Sequence, residues 1–234
     1  TTAHTLSLHD ALPISPPIAI LFDLDGTLVD TAPDLAAATN ALRAHHGLDP
    51  LPFHVIRAQV SNGGSALVTL ALGLEAGSAE HDAARQFLLD AYEQALAVDS
   101  RLFAPLDEWL ITWEGEARKW GIVTNKPRRY TEPLIEALAL TPGALLCADD
   151  LRVKKPAPEP LWEAAKRLGI PPEACWYVGD HVRDMEAAKA AGMTAVAVGY
   201  GYISEEEDYQ QWPADLWFAT CAELVAALHG HRTT

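Results

Sequence analysis

The chain has 234 residues, 49% of them hydrophobic and 21% charged, which excludes disorder as its main state and leaves room for one large domain or a domain with an insertion. Its 17 basic and 32 acidic residues give a net charge of −15, which argues against nucleic acid or an anionic membrane as partner. A small phosphorylated metabolite stays admissible, because a pocket can be locally cationic inside an acidic protein.

The three cysteines, Cys147, Cys175 and Cys221, are odd in number and lack metal-ligand spacing, so a reducing, cytoplasmic setting is expected. The longest apolar stretch, about 193–203, contains glycines and is shorter than the roughly 20 residues of a membrane span. The N-terminal residues lack a basic segment followed by an apolar one, so no secretory signal is expected. Segment 5–14 reads TLSLHDALPI, the translation of a string resembling a common short-read sequencing adapter. Residues 1–15 are therefore expected to be a non-native, adapter-derived segment outside the fold.

Ile18-Ala19-Ile20-Leu21-Phe22 is a continuous apolar run of strand length, as in a strand buried on both faces, and it ends in Asp23-Leu24-Asp25-Gly26-Thr27. Helical patterning follows at 33–46, 52–60, 65–72 and 79–97, with no convincing strand between 31 and about 100. Leu106, Trp109, Leu110, Trp113 and Trp120 recur at helical spacings; a ring platform for a ligand is possible in principle, but core packing is the expected role. Strands are predicted at 121–124, 144–147, 175–179, 194–198 and 216–218, alternating with helices at 132–139, 158–168, 185–191 and 224–228. Thr220 and Glu223 have the form of a capping box before the last helix. The acidic run 205–208 reads as a solvated loop. Alternating strands and helices predict an α/β fold, a Rossmann-like parallel sheet with helices on both faces.

In such sheets ligands sit outside the carboxyl ends of the strands. The residues there are Asp23 and Asp25, then Thr124 and Asn125, then Lys155, then Asp180 and Asp184. Asp23 and Asp25, two apart on extended chain, point to one side. Two carboxylates in one crevice suggest a divalent cation, a nucleophile with an acid/base partner, or both. Thr124 and Asn125 offer donors to a phosphoryl oxygen, and Lys155 a point charge, one of the adjacent pair Lys154 and Lys155 being expected to be solvated. Asp180 and Asp184 are brought together if a helix starts there.

These strings resemble the four motifs of the haloacid dehalogenase-like hydrolases, phosphoglycolate phosphatase-like branch: Asp23-Leu24-Asp25-Gly26-Thr27, Thr124-Asn125-Lys126-Pro127, Lys155-Pro156-Ala157-Pro158 and Gly179-Asp180-His181-Val182-Arg183-Asp184. The similarity runs from about 18 to 228. It implies a core of residues 16–30 and 101–234 with an inserted α-helical cap at 31–100. It also implies a Mg²⁺-dependent phosphatase of small phosphate monoesters working through an aspartyl-phosphate. Asp23 is then the nucleophile, Asp25 the acid/base, and Thr124 and Lys155 the groups that orient and neutralise the phosphoryl. Asp23, the backbone carbonyl of Asp25 and Asp180 hold Mg²⁺, with Asp184 steadying Lys155 or a metal-bound water. The second aspartate, Asp25, disfavours dehalogenation.

For the substrate, Ser61, Asn62 and Gly63 in the loop 60–65 are the best cap candidates, before a helix N-terminus that suits an anion, and Arg57 is a lesser one. The stretches 30–34, 61–64, 120–127 and 199–203 resemble the subgroup acting on N-acetylmuramic acid 6-phosphate, so that sugar phosphate and 2-phosphoglycolate are both expected. The alternatives are a phosphomutase of the β-phosphoglucomutase type and a catalytically silent binding module. The assembly is expected to be a monomer or a homodimer.

Overall fold

The computed structural model describes residues 15–204 and 206–230. The expected adapter-derived segment lies outside these residues except for Ser15, whose carbonyl accepts a hydrogen bond from Trp176 Nε1 at 3.1 Å. Glu205 of the acidic run also lies outside them, while Asp208 caps a short 3-10 turn at Tyr209–Gln211.

The framework is a six-stranded sheet of β1 (Ala19–Phe22), β4 (Lys119–Val123), β5 (Ala144–Leu146), β6 (Cys175–Gly179), β7 (Thr194–Val198) and β8 (Leu216–Phe218). The order is β5-β4-β1-β6-β7-β8, and every neighbouring pair is parallel. From β1 the chain builds outward on one side through β4 and β5, then returns to build the other side through β6, β7 and β8. The reversal point lies at β1, where β4 and β6 flank it, and this opens a crevice at the carboxyl ends of those three strands.

β1 explains the arrangement. All four of its residues are fully buried, Ile20 and Phe22 on one face, Ala19 and Leu21 on the other. Helices α5 (Leu106–Gly115), α6 (Arg128–Ala137) and α9 (Cys221–Gly230) cover the first face through Trp109, Leu134 and Leu224. Helices α7 (Glu159–Leu168) and α8 (Val182–Ala191) cover the second through Leu161 and Met185. Trp109, Trp113 and Trp120 are buried core residues, so the ring-platform alternative has no support. The three cysteines are buried and free, and burial pushes each thiol up to about 11.

Between β2 (Val29–Asp30) and β3 (Arg101–Leu102), which pair antiparallel, the chain forms α1 (Ala32–His45), α2 (Phe53–Arg57), α3 (Gly63–Leu72) and α4 (Ala79–Gln94). These helices bury a separate cluster that includes Leu42, Ile56, Leu67 and Leu88.

Several boundaries differ from the sequence expectation. The helix expected at 52–60 breaks into α2 and a 3-10 turn at Val60–Asn62. α6 begins at Arg128, four residues before the expected 132, because Pro127 is extended and its carbonyl accepts from Tyr130 and Thr131. α8 begins at Val182 rather than 185, because His181 caps it and Asp184 Oδ2 accepts from the His181 N–H at 3.1 Å. The capping box before α9 is present, with Glu223 N–H to Thr220 Oγ1 at 3.2 Å and Thr220 N–H to Glu223 Oε2 at 3.1 Å.

Candidate active site

Each sheet strand beside the reversal point delivers one group to the crevice. Asp23 follows β1, Thr124 follows β4, and Asp180 follows β6. The loop after β5 brings in Lys155, whose side chain is 1% exposed, whereas Lys154 is the exposed member of the pair.

Lys155 is the hub. Its Nζ lies 2.9 Å from Asp23 Oδ1, 2.8 Å from Asp184 Oδ1 and 2.6 Å from Tyr177 Oη. Tyr177 Oη in turn donates to the carbonyl of Val123 at 2.7 Å. Burial alone would pull the ammonium pKa down, but Asp184 and Asp23 outweigh it and hold Lys155 protonated. Asp184 spends Oδ1 on Lys155 and Oδ2 on the His181 N–H, so it holds the lysine in place.

Asp23 Oδ1 also accepts from its neighbour's amide, Leu24 N–H at 2.8 Å, which leaves Oδ2 as the oxygen with no protein donor among the described residues. Asp180 Oδ1 accepts from Thr27 Oγ1 at 3.1 Å, and its Oδ2 accepts from the Tyr202 N–H at 2.8 Å and from Ser61 Oγ at 3.2 Å. Two glycines give Asp180 its space. A Cβ at Gly26, where φ is +83°, would come within 2.2 Å of Asp180 Oδ2, and one at Gly201 within 2.2 Å of Asp180 Cβ.

Asp23, Asp180 and Asp184 each place a carboxylate oxygen within 4.8 Å of the others. Burial, only partly offset by Lys155, raises Asp23 to about 6, with Asp184 adding to the rise. Burial raises Asp180 to about 7, helped by the charges of Asp23 and Asp184. Three clustered carboxylates, all hard oxygen donors, of which Asp23 and Asp180 are held above the usual carboxylate range, are what a divalent cation such as Mg²⁺ neutralises, so the residues fit that ion.

The Asp25 carboxylate is not among them. Its Oδ1 accepts from Thr31 Oγ1 at 2.5 Å and from Lys126 Nζ at 2.9 Å, so these two groups hold the side chain, and the metal role expected of Asp25 is that of its backbone carbonyl. Both donors fall on Oδ1, and Oδ2 has no protein donor among the described residues.

Thr124 and Asn125 lie at the end of β4 as expected, but Asn125 Nδ2 donates to the Lys155 carbonyl at 2.9 Å, and its buried Oδ1 has no partner. Thr124 Oγ1 accepts from the Lys126 N–H at 3.0 Å, so its hydroxyl hydrogen is free to meet an anion.

A cavity of about 330 Å³ opens above these groups, between the sheet and the helical layer. Asp23, Asp25, Thr124, Asn125 and Lys155 line it, as do Ser61, Asn62 and Gly63 from the cap loop. Arg85, Lys126, Lys154 and Arg183 reach the same space, so the cavity is cationic although the protein is acidic. Arg183 Nη2 donates to the Ser61 carbonyl at 2.7 Å and ties the loop to α8.

Arg57 does not line the cavity. Its guanidinium donates to the carbonyls of Gly201 at 2.9 Å and Tyr200 at 2.8 Å, and lies 4.9 Å from the Tyr202 ring centroid. It joins the helical layer to the loop that supports Asp180.

The sequence reading missed Lys126, Tyr177, Tyr202, Arg85 and Arg183 as site residues. Lys126 and Arg183 stand inside the quoted motif strings, so their signal was present and unused. Tyr177 carried a weaker one, a phenol in an otherwise apolar strand. Tyr202 and Arg85 act across elements far apart in sequence; Tyr202 stands in the quoted stretch 199–203, whereas nothing local marks Arg85. Tyr202 Oη accepts from Thr31 N–H at 2.6 Å and Ala32 N–H at 2.9 Å, at the start of α1.

Comparison with known proteins bears on the same residues. A family model described as haloacid dehalogenase-like hydrolase matches residues 20–198. An N-acetylmuramic acid 6-phosphate phosphatase of Pseudomonas aeruginosa is 42% identical over 212 residues, covering 90% of this chain and 94% of that protein. A phosphoglycolate phosphatase of Xylella fastidiosa is 38% identical over 201 residues, covering 85% and 87%. Among solved structures, a predicted phosphoglycolate phosphatase from Haemophilus somnus matches with a TM-score of 0.77 at 27% identity, covering 89% of this chain and 96% of that one. No helix among the described residues is long and apolar enough to cross a membrane.

Proposed function

We infer the function from one premise: the chain belongs to the haloacid dehalogenase-like hydrolases. It is a phosphoric monoester hydrolase of that superfamily. The proposed reaction is Mg²⁺-dependent hydrolysis of a small phosphate monoester through an aspartyl-phosphate, with N-acetylmuramic acid 6-phosphate and 2-phosphoglycolate as substrates, the helices 32–94 acting as a cap over the site.

The observation that carries this reading is the Asp23 carboxylate at the carboxyl end of β1. Its Oδ1 is fixed by Leu24 N–H and Lys155, and its Oδ2 is free at the floor of a cationic cavity. Asp23 Oδ2 attacks phosphorus, the ester P–O bond breaks, and Asp25 Oδ2 gives its proton to the departing alkoxide. Asp25 then takes a proton from water as the water oxygen attacks phosphorus, and the Asp23 carboxylate is released. The Lys155 charge neutralises the phosphoryl and the Thr124 hydroxyl orients it, where stabilisation counts most in phosphoryl transfer. Asp23, Asp180 and the Asp25 carbonyl would hold Mg²⁺, which supplies the positive charge that lets a carboxylate approach a phosphate dianion. Asp184 and Tyr177 keep Lys155 in place throughout.

The test is phosphate release from a panel of small monoesters with Mg²⁺ and after its removal by a chelator. Release is expected with Mg²⁺ only, and the two named substrates are expected among the best by kcat/KM. A panel in which neither ranks among the best removes the substrate assignment. Absence of Mg²⁺-dependent release from every monoester removes the phosphatase reading.

A further inference from the structure

The chemistry described so far uses the floor of the cavity; its roof carries a second set of groups that this chemistry leaves idle. Arg85, Leu89 and Tyr92 stand at spacings of four and three along α4, so they share one helix face, and all three line the cavity. Tyr92 is 1% exposed, and its buried hydroxyl has no partner at normal hydrogen-bond distance among the described residues, with Lys126 Nζ the nearby cation at 4.6 Å from the ring centroid. An orphaned buried hydroxyl carries a cost that a ligand group can remove.

Arg85 is the outer member of the strip. Lys155, Lys126 and Arg183 are committed to Asp23 and Asp184, to Asp25 and to the Ser61 carbonyl. Arg85 makes no ion pair or hydrogen bond to a described residue. It lies beside the N-terminus of α3, because a Cβ placed on Gly64 would be 3.9 Å from Arg85 Nε and 3.4 Å from Leu89 Cδ2. No side chain caps that N-terminus. An uncapped helix start and an uncommitted guanidinium, side by side on the cavity wall, form a receptor for an anion separate from the phosphoryl site.

We propose that Arg85, with the first turn of α3 beside it, binds a carboxylate on the leaving-group side of the substrate, while Leu89 and Tyr92 contact the rest of that group. Arg85 is thus a specificity-determining residue, and the preferred substrate class is phosphate monoesters that bear a carboxylate. The two substrates for which the relatives are named share that feature. A guanidinium suits the task because its planar fork meets both carboxylate oxygens, which the point charge of Lys154 cannot do. The proposal rests on the phosphatase reading above.

The experiment compares matched ester pairs that differ in the carboxylate: 2-phosphoglycolate against 2-hydroxyethyl phosphate, and N-acetylmuramic acid 6-phosphate against N-acetylglucosamine 6-phosphate. The readout is the ratio of kcat/KM within each pair, for the parent and for Arg85→Gln and Arg85→Lys, with melting temperature as the check on folding. The ratio should fall by about 10- to 100-fold in Arg85→Gln, chiefly through KM, and Arg85→Lys should recover part of it. An unchanged ratio, or an equal loss on both members of a pair in a folded variant, overturns the assignment of Arg85 and leaves the phosphatase reading standing. A parent enzyme inactive on all four esters and on every other monoester overturns that reading and this proposal together.

Discussion

Asp23→Asn should fold like the parent and lose turnover by about 10³-fold or more. The amide keeps the shape of the carboxylate, and its oxygen can still accept the Leu24 N–H that fixes Asp23 Oδ1 at 2.8 Å. Lys155 keeps Asp184 at 2.8 Å and Tyr177 at 2.6 Å, so the buried cation is not stranded. What disappears is the nucleophile: an amide nitrogen has its lone pair delocalised, and no second carboxylate occupies the place of Oδ2. Asp25 cannot substitute, because Thr31 and Lys126 hold it elsewhere. Steady-state kinetics with Mg²⁺, beside a thermal melt, measures both halves of the prediction. Activity within about tenfold of the parent would mean that Asp23 is not the attacking group.

Lys155→Met should damage stability as well as catalysis. The lysine is 1% exposed and lies between Asp23 and Asp184, so its removal leaves two buried carboxylates facing each other without a cation. Breaking a buried ion pair from one side typically costs about 3–5 kcal/mol, much of it the penalty on the charge left behind. Turnover should fall by about 10²-fold or more, since the phosphoryl loses a charged donor in a site shielded from water. Lys154→Met gives the contrast: its neighbour in sequence is exposed and unpaired among the described residues, and its effect on stability should stay within about 0.5 kcal/mol. Denaturant unfolding of both variants measures the difference, and equal stabilities would contradict the hub role of Lys155.

The sheet was legible because its central strands are buried on both faces and therefore read as unbroken apolar runs, as in Ala19-Ile20-Leu21-Phe22 and Thr194–Val198. Residues at strand ends were legible for the same reason, since the end of each run marks where chemistry becomes possible. That principle places Asp23, Thr124, Lys155 and Asp180 in one crevice from the sequence alone. Helix starts were less legible. Those of α6 and α8 are polar, and their signals come from Pro127 and His181 rather than from apolar periodicity. The two-residue strands β2 and β3 carry no periodic pattern at all, and only their pairing reveals them.

The partners of the catalytic groups were the least legible part. Asp25 reads as one of a pair with Asp23, yet the pairing that positions it is with Lys126 and Thr31, at separations of 101 and 6 residues. Arg57 reads as a plausible contact for a substrate anion, but two carbonyls of the 200–201 backbone take its guanidinium. Nothing in the sequence singles out Arg85, and only the fold sets it beside Gly64. In the cases of Lys126, Arg57 and Arg85 the deciding contact joins elements far apart in the chain, where sequence spacing has no reach.

The covalent step can be tested directly by trapping it. In Asp25→Ala, a substrate such as 4-nitrophenyl phosphate, whose leaving group needs no proton, can still phosphorylate the enzyme, but the base that activates water for the second step is gone. Acid-quenched protein from that reaction, with Mg²⁺ present, is digested and its peptides are weighed. The predicted result is one phosphoryl group on Asp23, labile to hydroxylamine as an acyl phosphate must be; nitrophenolate release with the phosphoryl on another residue, or with no labelled protein at all, would contradict it.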